Sequence, residues 1–284
     1  MMETAMTPIR PILLADLFPD VEARLVELLR GLAPEDWGRP TVCSGWNVGD
    51  IAAHLLDGNL RRLSMGRDGH TPSAPATPIR SVEDVVALVN EQNARWTAVA
   101  RSLSPAVLID LLERTSAQVH DYFAALDPEG RALFGVSWAG QATSPNWFDV
   151  AREYTERWHH QQQIRDAVGA SPLTDRKHLY PVLDTFMRGL PHAYRAVHAP
   201  DGTAVVARVS GEAGGAWSLI REEGRWTLYE DAAPKHSASI ELRQDDAWRL
   251  FTKGLTTEAV RPRAVVQGDA ALVEPALTMT AVVA

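Results

Sequence analysis

Apolar residues recur at helical spacing from about residue 11 to 198 and at alternating, strand-like spacing from 204 onward. A chain with both periods must build a helical layer and a sheet, because each period buries only its own kind of face. In the first part, Leu17, Val21, Leu25, Leu28 and Leu29 mark an amphipathic helix that stops near Gly31 and Pro34. A second is expected from Asn47 to about Met65, with Asn47 as its N-cap and Gly66 just past its end.

A loop rich in Pro, Thr, Ser and Gly covers Gly66 to Pro78, and Ser81, Glu83 and Asp84 resemble the capped start of a helix running to about Leu103. The pairs Ser104-Pro105 and Ser144-Pro145 each open another helix, the second ending at Gly169. A last helix is expected over Asp175 to about Ala196. Beyond Asp201-Gly202, strands are expected at 204–209, 217–221, 225–230 and 239–242, with Glu223-Gly224 as a hairpin turn. A helix at 245–253, a strand at 264–266 and a terminal helix after Gly268-Asp269 complete the pattern. The fold class is therefore α plus α+β, a helical bundle over 11–198 followed by a small α+β domain over 200–284.

With 284 residues, 45% of them hydrophobic, the chain can fill two modest cores. Its net charge of -8 argues against a nucleic-acid partner, since phosphate backbones are bound by excess Lys and Arg. No apolar run reaches the ~18 residues of a membrane span, and the first residues lack the layout of a secretion signal. A cytoplasmic protein without a membrane partner is expected. The single cysteine, Cys43, can form neither an internal disulfide nor a thiolate cage, so a metal would have to rest on His, Glu and Asp. Its place before Gly45-Trp46 suits a packed loop.

Glu156 and His160 are four residues apart, a rotation of about 40° on a helix, and can offer a carboxylate and an imidazole to one ion. His159, three residues from Glu156, is the other candidate on that face. His54 follows Ile51 by three and lies on the apolar side of its helix, pointing into the bundle. Spacing alone leaves two readings: a three-ligand site with open positions, or a core histidine and an exposed Glu-His pair. On the helical wheel, Trp147, Val150, Tyr154, Trp158 and Val168 form the main apolar stripe, so Glu156 and His160 are buried only if that helix is covered on two sides.

The stretch from Thr41 through Gly45-Trp46-Asn47-Val48 to His54-Leu55 resembles a signature of the DinB-like superfamily, in the branch named after mycothiol-dependent maleylpyruvate isomerase. Glu156 through His160 to Gln163-Ile164-Arg165 is similar to its second half, although many relatives carry Asp where this chain has Gln163. The resemblance implies an up-down four-helix bundle and a divalent ion, usually zinc, held by His54, Glu156 and His160. Residues 200–284, with Val265-Val266-Gln267-Gly268-Asp269, are similar in pattern to the sterol-carrier-like domain that accompanies this bundle.

It also implies mycothiol or a related low-molecular-weight thiol as cosubstrate, with S-transfer to, or cis-trans isomerisation of, a small electrophile as the reaction. Arg61 and Arg62, one to two turns after His54, are candidates to meet an anionic thiol or substrate. The alternatives are a metal-dependent hydrolase and a non-catalytic small-molecule-binding protein whose metal is structural. The oligomeric state is not encoded in any feature of the chain.

Overall fold

The computed structural model describes residues 6–73 and 80–282, so 74–78 of the expected Pro-rich loop lie outside the described residues. The chain resolves into two compact units. One holds residues 13–133 and 145–172, the other residues up to 12, 134–144 and 173 onward.

The first unit is built from α1 (Phe18–Arg30), α2 (Val48–Arg61), α3 (Val82–Ala100), α4 (Pro105–Ala124) and α5 (Asn146–Val168). α2 packs against α3, α4 and α5, while α1 packs against α4 and α5, which makes α1, α2, α4 and α5 a four-helix bundle flanked by α3. Its core joins Leu25 and Leu29 of α1, Ile51, Leu55 and Leu56 of α2, Leu108 and Leu112 of α4 and Ile164 of α5, all almost fully buried. Three of the expected caps are used, whereas at α5 the N-cap is Pro145 without a side-chain bond and the Ser144 hydroxyl accepts from Val136 N instead. Asn47 Oδ1 accepts from Asp50 N at 2.9 Å while Asp50 Oδ2 accepts from Asn47 N at 3.1 Å, a reciprocal pair that fixes where α2 begins. Ser81 caps α3 through the same kind of reciprocal pair, with Asp84, and the Ser104 side chain accepts from Val107 N at the start of α4.

The end of α2 differs from expectation. The helix runs on through a wider π turn, Arg62–Arg67, and Gly66 lies inside it rather than after it. Gly66 is needed for space: a Cβ there would stand 2.6 Å from the Tyr122 hydroxyl of α4. Gly169, by contrast, takes the left-handed conformation expected after α5, with φ 68°.

The second unit contains α6 (Arg176–Met187), α7 (Leu190–Ala193), strands β1 (Ala204–Ser210), β2 (Gly215–Glu222), β3 (Arg225–Glu230), β4 (Ala238–Arg243) and β5 (Val265–Gly268), and α8 (Gln244–Phe251) between β4 and β5. The strand order is β3-β2-β1-β4-β5, antiparallel except for the parallel β1 and β4 pair. Glu223 and Gly224 both have positive φ, 47° and 74°, as a two-residue hairpin between β2 and β3 requires.

α6, which periodicity alone attached to the bundle of 11–198, groups with this sheet. The reason is in its side chains: Asp184 accepts from the Trp217 indole of β2 at 2.8 Å, and Arg176 donates to the Gly214 carbonyl at 2.7 Å. No helix among the described residues is long and apolar enough to cross a membrane.

Candidate metal centre

The site is assembled on two bundle helices. His54 lies one turn and a half into α2, and the turn that precedes the helix is closed by Thr41, whose hydroxyl donates to the Trp46 carbonyl at 2.9 Å. That turn brings the Trp46 ring to 5.2 Å from the His54 ring, centroid to centroid. On the other side, the Trp96 indole of α3 donates to the Ala53 carbonyl at 2.7 Å, clamping α3 beside His54.

α5 supplies the other two groups. It is covered on nearly every side: Val150, Tyr154, Trp158 and Ile164 are buried, and so are Glu153, Arg157, His159, His160, Gln161 and Gln163. This is the two-sided burial that the helical wheel demanded. A polar helix can be buried in this way only because its polar atoms find partners.

One donor atom from each of His54, Glu156 and His160 falls within 4.8 Å of the other two. The His54 and His160 ring centroids are 4.7 Å apart at 74°, and His160 Nε2 is 3.3 Å from Glu156 Oε2. Burial, reinforced by the neighbouring His160, pushes the His54 imidazole down to about 3, which a hydrogen bond with Asn93 and the Glu156 charge only partly oppose. For Glu156, burial acts upward, but the hydrogen bond and charge of His160 and the charge of Arg152 outweigh it and bring the carboxyl down to about 2. A neutral imidazole and an ionised carboxylate are the forms that ligate a cation.

These residues fit a divalent ion. His54 Nδ1 is buried and has no hydrogen-bond partner among the described residues, an unusual condition for a buried ring nitrogen. Two imidazoles and one carboxylate form the donor set of open zinc sites. His159 is not part of the cluster, and its Nε2 is engaged by the Gln163 amide at 2.8 Å.

The two arginines separate. Arg61 has a side chain 40% exposed, paired with Asp57 at 2.7 Å and with Gln92. Arg62 is buried; it bonds Asp149 at 2.6 Å and Glu153 at 2.7 Å, and its guanidinium lies 5.5 Å from the centre of the Phe123 ring. Its charge is neutralised inside the bundle by α5 carboxylates. Helix spacing from His54 gave no sign of this, since the partners come from 87 and 91 residues away.

Cys43 is half-buried and its thiol is held above the ordinary range by burial, with hydrogen bonds to Gln163 and Thr41 opposing. It is a packed, protonated thiol. Two contributors were missed in the sequence: Asn93, which meets His54 from α3, and Arg157. A signal for Arg157 was present, because Val150, Tyr154, Arg157, Gln161 and Ile164 follow one another at four- and three-residue steps. A charge inside such a stripe marks a buried pair.

A four-helix bundle carrying a cluster of two histidines and one carboxylate that could hold a cation is the class of protein that this fold and site define. The profile of the mycothiol maleylpyruvate isomerase N-terminal domain matches residues 18–165, more than half of the chain, and the chain belongs to that family. Among solved structures it is similar to the mycothiol-dependent maleylpyruvate isomerase and to a histidine-to-alanine mutant of it. Each match has a TM-score of 0.50 and 14% identity and covers 83% of this chain and 86% of that one. At that identity the likeness establishes the fold. A sterol carrier protein domain 2 from Helicoverpa armigera matches 33% of this chain and 80% of its own at 16% identity, with a TM-score of 0.27, too low to support an argument. No curated protein matches the chain.

Proposed function

We propose that this protein is a divalent-metal-dependent enzyme that uses a low-molecular-weight thiol of the mycothiol type for S-transfer to, or cis-trans isomerisation of, a small electrophile. The observation that carries the reading is the convergence of His54, Glu156 and His160 within 4.8 Å in a chain of this family. When bound, a divalent ion supplies Lewis acidity and favours the deprotonated form of a thiol beside it, and zinc suits this donor set.

The residues of this chain do the rest. His54 and His160 offer neutral nitrogens and Glu156 one negative charge, so the loaded centre keeps a net positive charge that attracts an anionic sulfur. The Trp46 ring covers one side of His54 and limits water there. Arg61, the more exposed of the two arginines, is the candidate contact for an anionic group of the thiol or the electrophile. The relatives' printed name makes maleylpyruvate the first electrophile to try.

The test is zinc content and uptake of the purified chain beside the His54→Ala variant, followed by turnover of maleylpyruvate with mycothiol. Stoichiometric zinc in the wild type, lost in the variant, together with thiol-dependent turnover, is the expected result. A wild type that takes up no zinc would sink the proposal.

A further inference from the structure

Glu156 has two histidines within helical reach, and both are buried: His159 and His160 lie side by side with ring centroids 4.9 Å apart and planes at 31°. Backbone spacing does not choose between them. Gln163 follows His160 by three residues and His159 by four, so one side-chain amide reaches both rings.

Its two ends do opposite things. Gln163 Oε1 is 2.7 Å from His160 Nδ1, and Gln163 Nε2 is 2.8 Å from His159 Nε2. An amide oxygen only accepts, so the bond to Gln163 places the His160 proton on Nδ1 and leaves the Nε2 lone pair for an ion, whereas the competing bond from Nε2 to Glu156 Oε2, 3.3 Å away, requires the other tautomer. An amide nitrogen only donates, so the His159 Nε2 lone pair is consumed by that bond. The opposite amide orientation would put the His160 proton on Nε2 and leave the ligand cluster one donor short.

We propose that Gln163 is a positioning residue that selects which histidine of the pair ligates the ion, priming His160 Nε2 and withdrawing His159 Nε2. This inference rests on the metal reading of the site. A single neutral side chain beside the metal cluster thereby fixes one tautomer in each of two adjacent rings. A partner of this kind behind a ligating histidine is worth ~10–100-fold in metal affinity.

The experiment measures zinc affinity of the full chain by competition with a chromophoric chelator for the wild type, Gln163→Leu and Gln163→Glu, and maps ring protons in the zinc-loaded wild type by long-range 15N–1H correlation. Gln163→Leu should bind zinc ~10–100-fold more weakly, and Gln163→Glu, which still accepts from His160 Nδ1, should recover most of the loss. The spectrum should show the His160 proton on Nδ1. A folded Gln163→Leu with wild-type zinc affinity, or a His160 proton on Nε2, overturns the selection while leaving the metal site standing. A wild type that binds no zinc overturns both. If the Leu variant does not fold, the spectrum and the Glu variant decide between these outcomes.

Discussion

Arg157 Nη1 donates to the Leu55 carbonyl at 2.9 Å, joining the residue after Glu156 to the residue after His54. This bond ties the register of α5 to that of α2 at the level of the candidate metal ligands. Around it lies a polar network shared by four helices: Arg157 also pairs with Glu22 of α1 at 3.3 Å and bonds Asn59 of α2. Asn59 in turn donates to Thr115 and Ser116 of α4 at 2.9 and 3.0 Å, and Ser116 donates to Glu22 at 3.0 Å. Four apolar helices could slide past one another with little penalty, whereas a network of this kind is satisfied in one register only.

Replacing Arg157 by Met should therefore be severe. The substitution leaves Glu22, 8% exposed, without its counter-ion, and loss of one partner from a buried pair costs about 3–5 kcal/mol. Urea unfolding at neutral pH should show this loss, and zinc affinity should fall with it. A change under about 1 kcal/mol would mean that the pair is not buried in solution.

The three proposed ligand positions should behave unlike their neighbour. His54→Ala, Glu156→Ala and His160→Ala should each lower zinc affinity by more than the ~10–100-fold expected for losing an outer hydrogen-bond partner. His159→Ala should retain stoichiometric zinc, because its Nε2 already serves Gln163. Calorimetric titration of the four variants makes the comparison, and a His159→Ala protein devoid of zinc would contradict the assignment.

Acid should destabilise the bundle through Glu153. Burial acts to raise its pKa, but the charges of Arg62, Arg152 and Arg157 more than cancel this and leave the carboxyl well below the usual range. A folded pKa below the unfolded value of about 4.3 gives stability that is full above that pH and is lost as pH falls toward the folded value. Between about pH 5 and pH 3, the unfolding free energy of the wild type should fall more steeply than that of Glu153→Gln. Parallel slopes would remove Glu153 from the account.

Loss of the cap on α2 is a milder test. Asn47→Ala removes the acceptor for the Asp50 amide and should cost about 1 kcal/mol. Hydrogen exchange should quicken first at Gly49 and Asp50, near the helix end from which His54 is reached. An unchanged melting temperature and exchange pattern would show that the Arg101 bonds to Asp50, both 2.9 Å, hold this end unaided.

Much of this was legible in the chain. Asn47, Ser81, Ser104 and Gly169 marked helix ends correctly because capping satisfies backbone groups within a few residues of the cap. Gly66 misled, since its purpose is to admit Tyr122, which lies on another helix. Arg62 looked like a ligand-facing cation two turns past His54, and its partners Asp149 and Glu153 come from α5.

By itself, the sequence determined the periods, the helix ends and the placing of Glu156 and His160 on one helical face, because each follows from 3.6 residues per turn and local hydrogen bonding. Tertiary structure decided the rest. It brought the ring centroids of His54 and His160 to 4.7 Å, drew α6 to the sheet through Trp217, neutralised Arg62 and engaged His159 through Gln163. Most of these outcomes depend on which partner a neighbouring helix or strand brings, and the last on a choice of rotamer between two adjacent rings, so a one-dimensional pattern cannot encode them legibly.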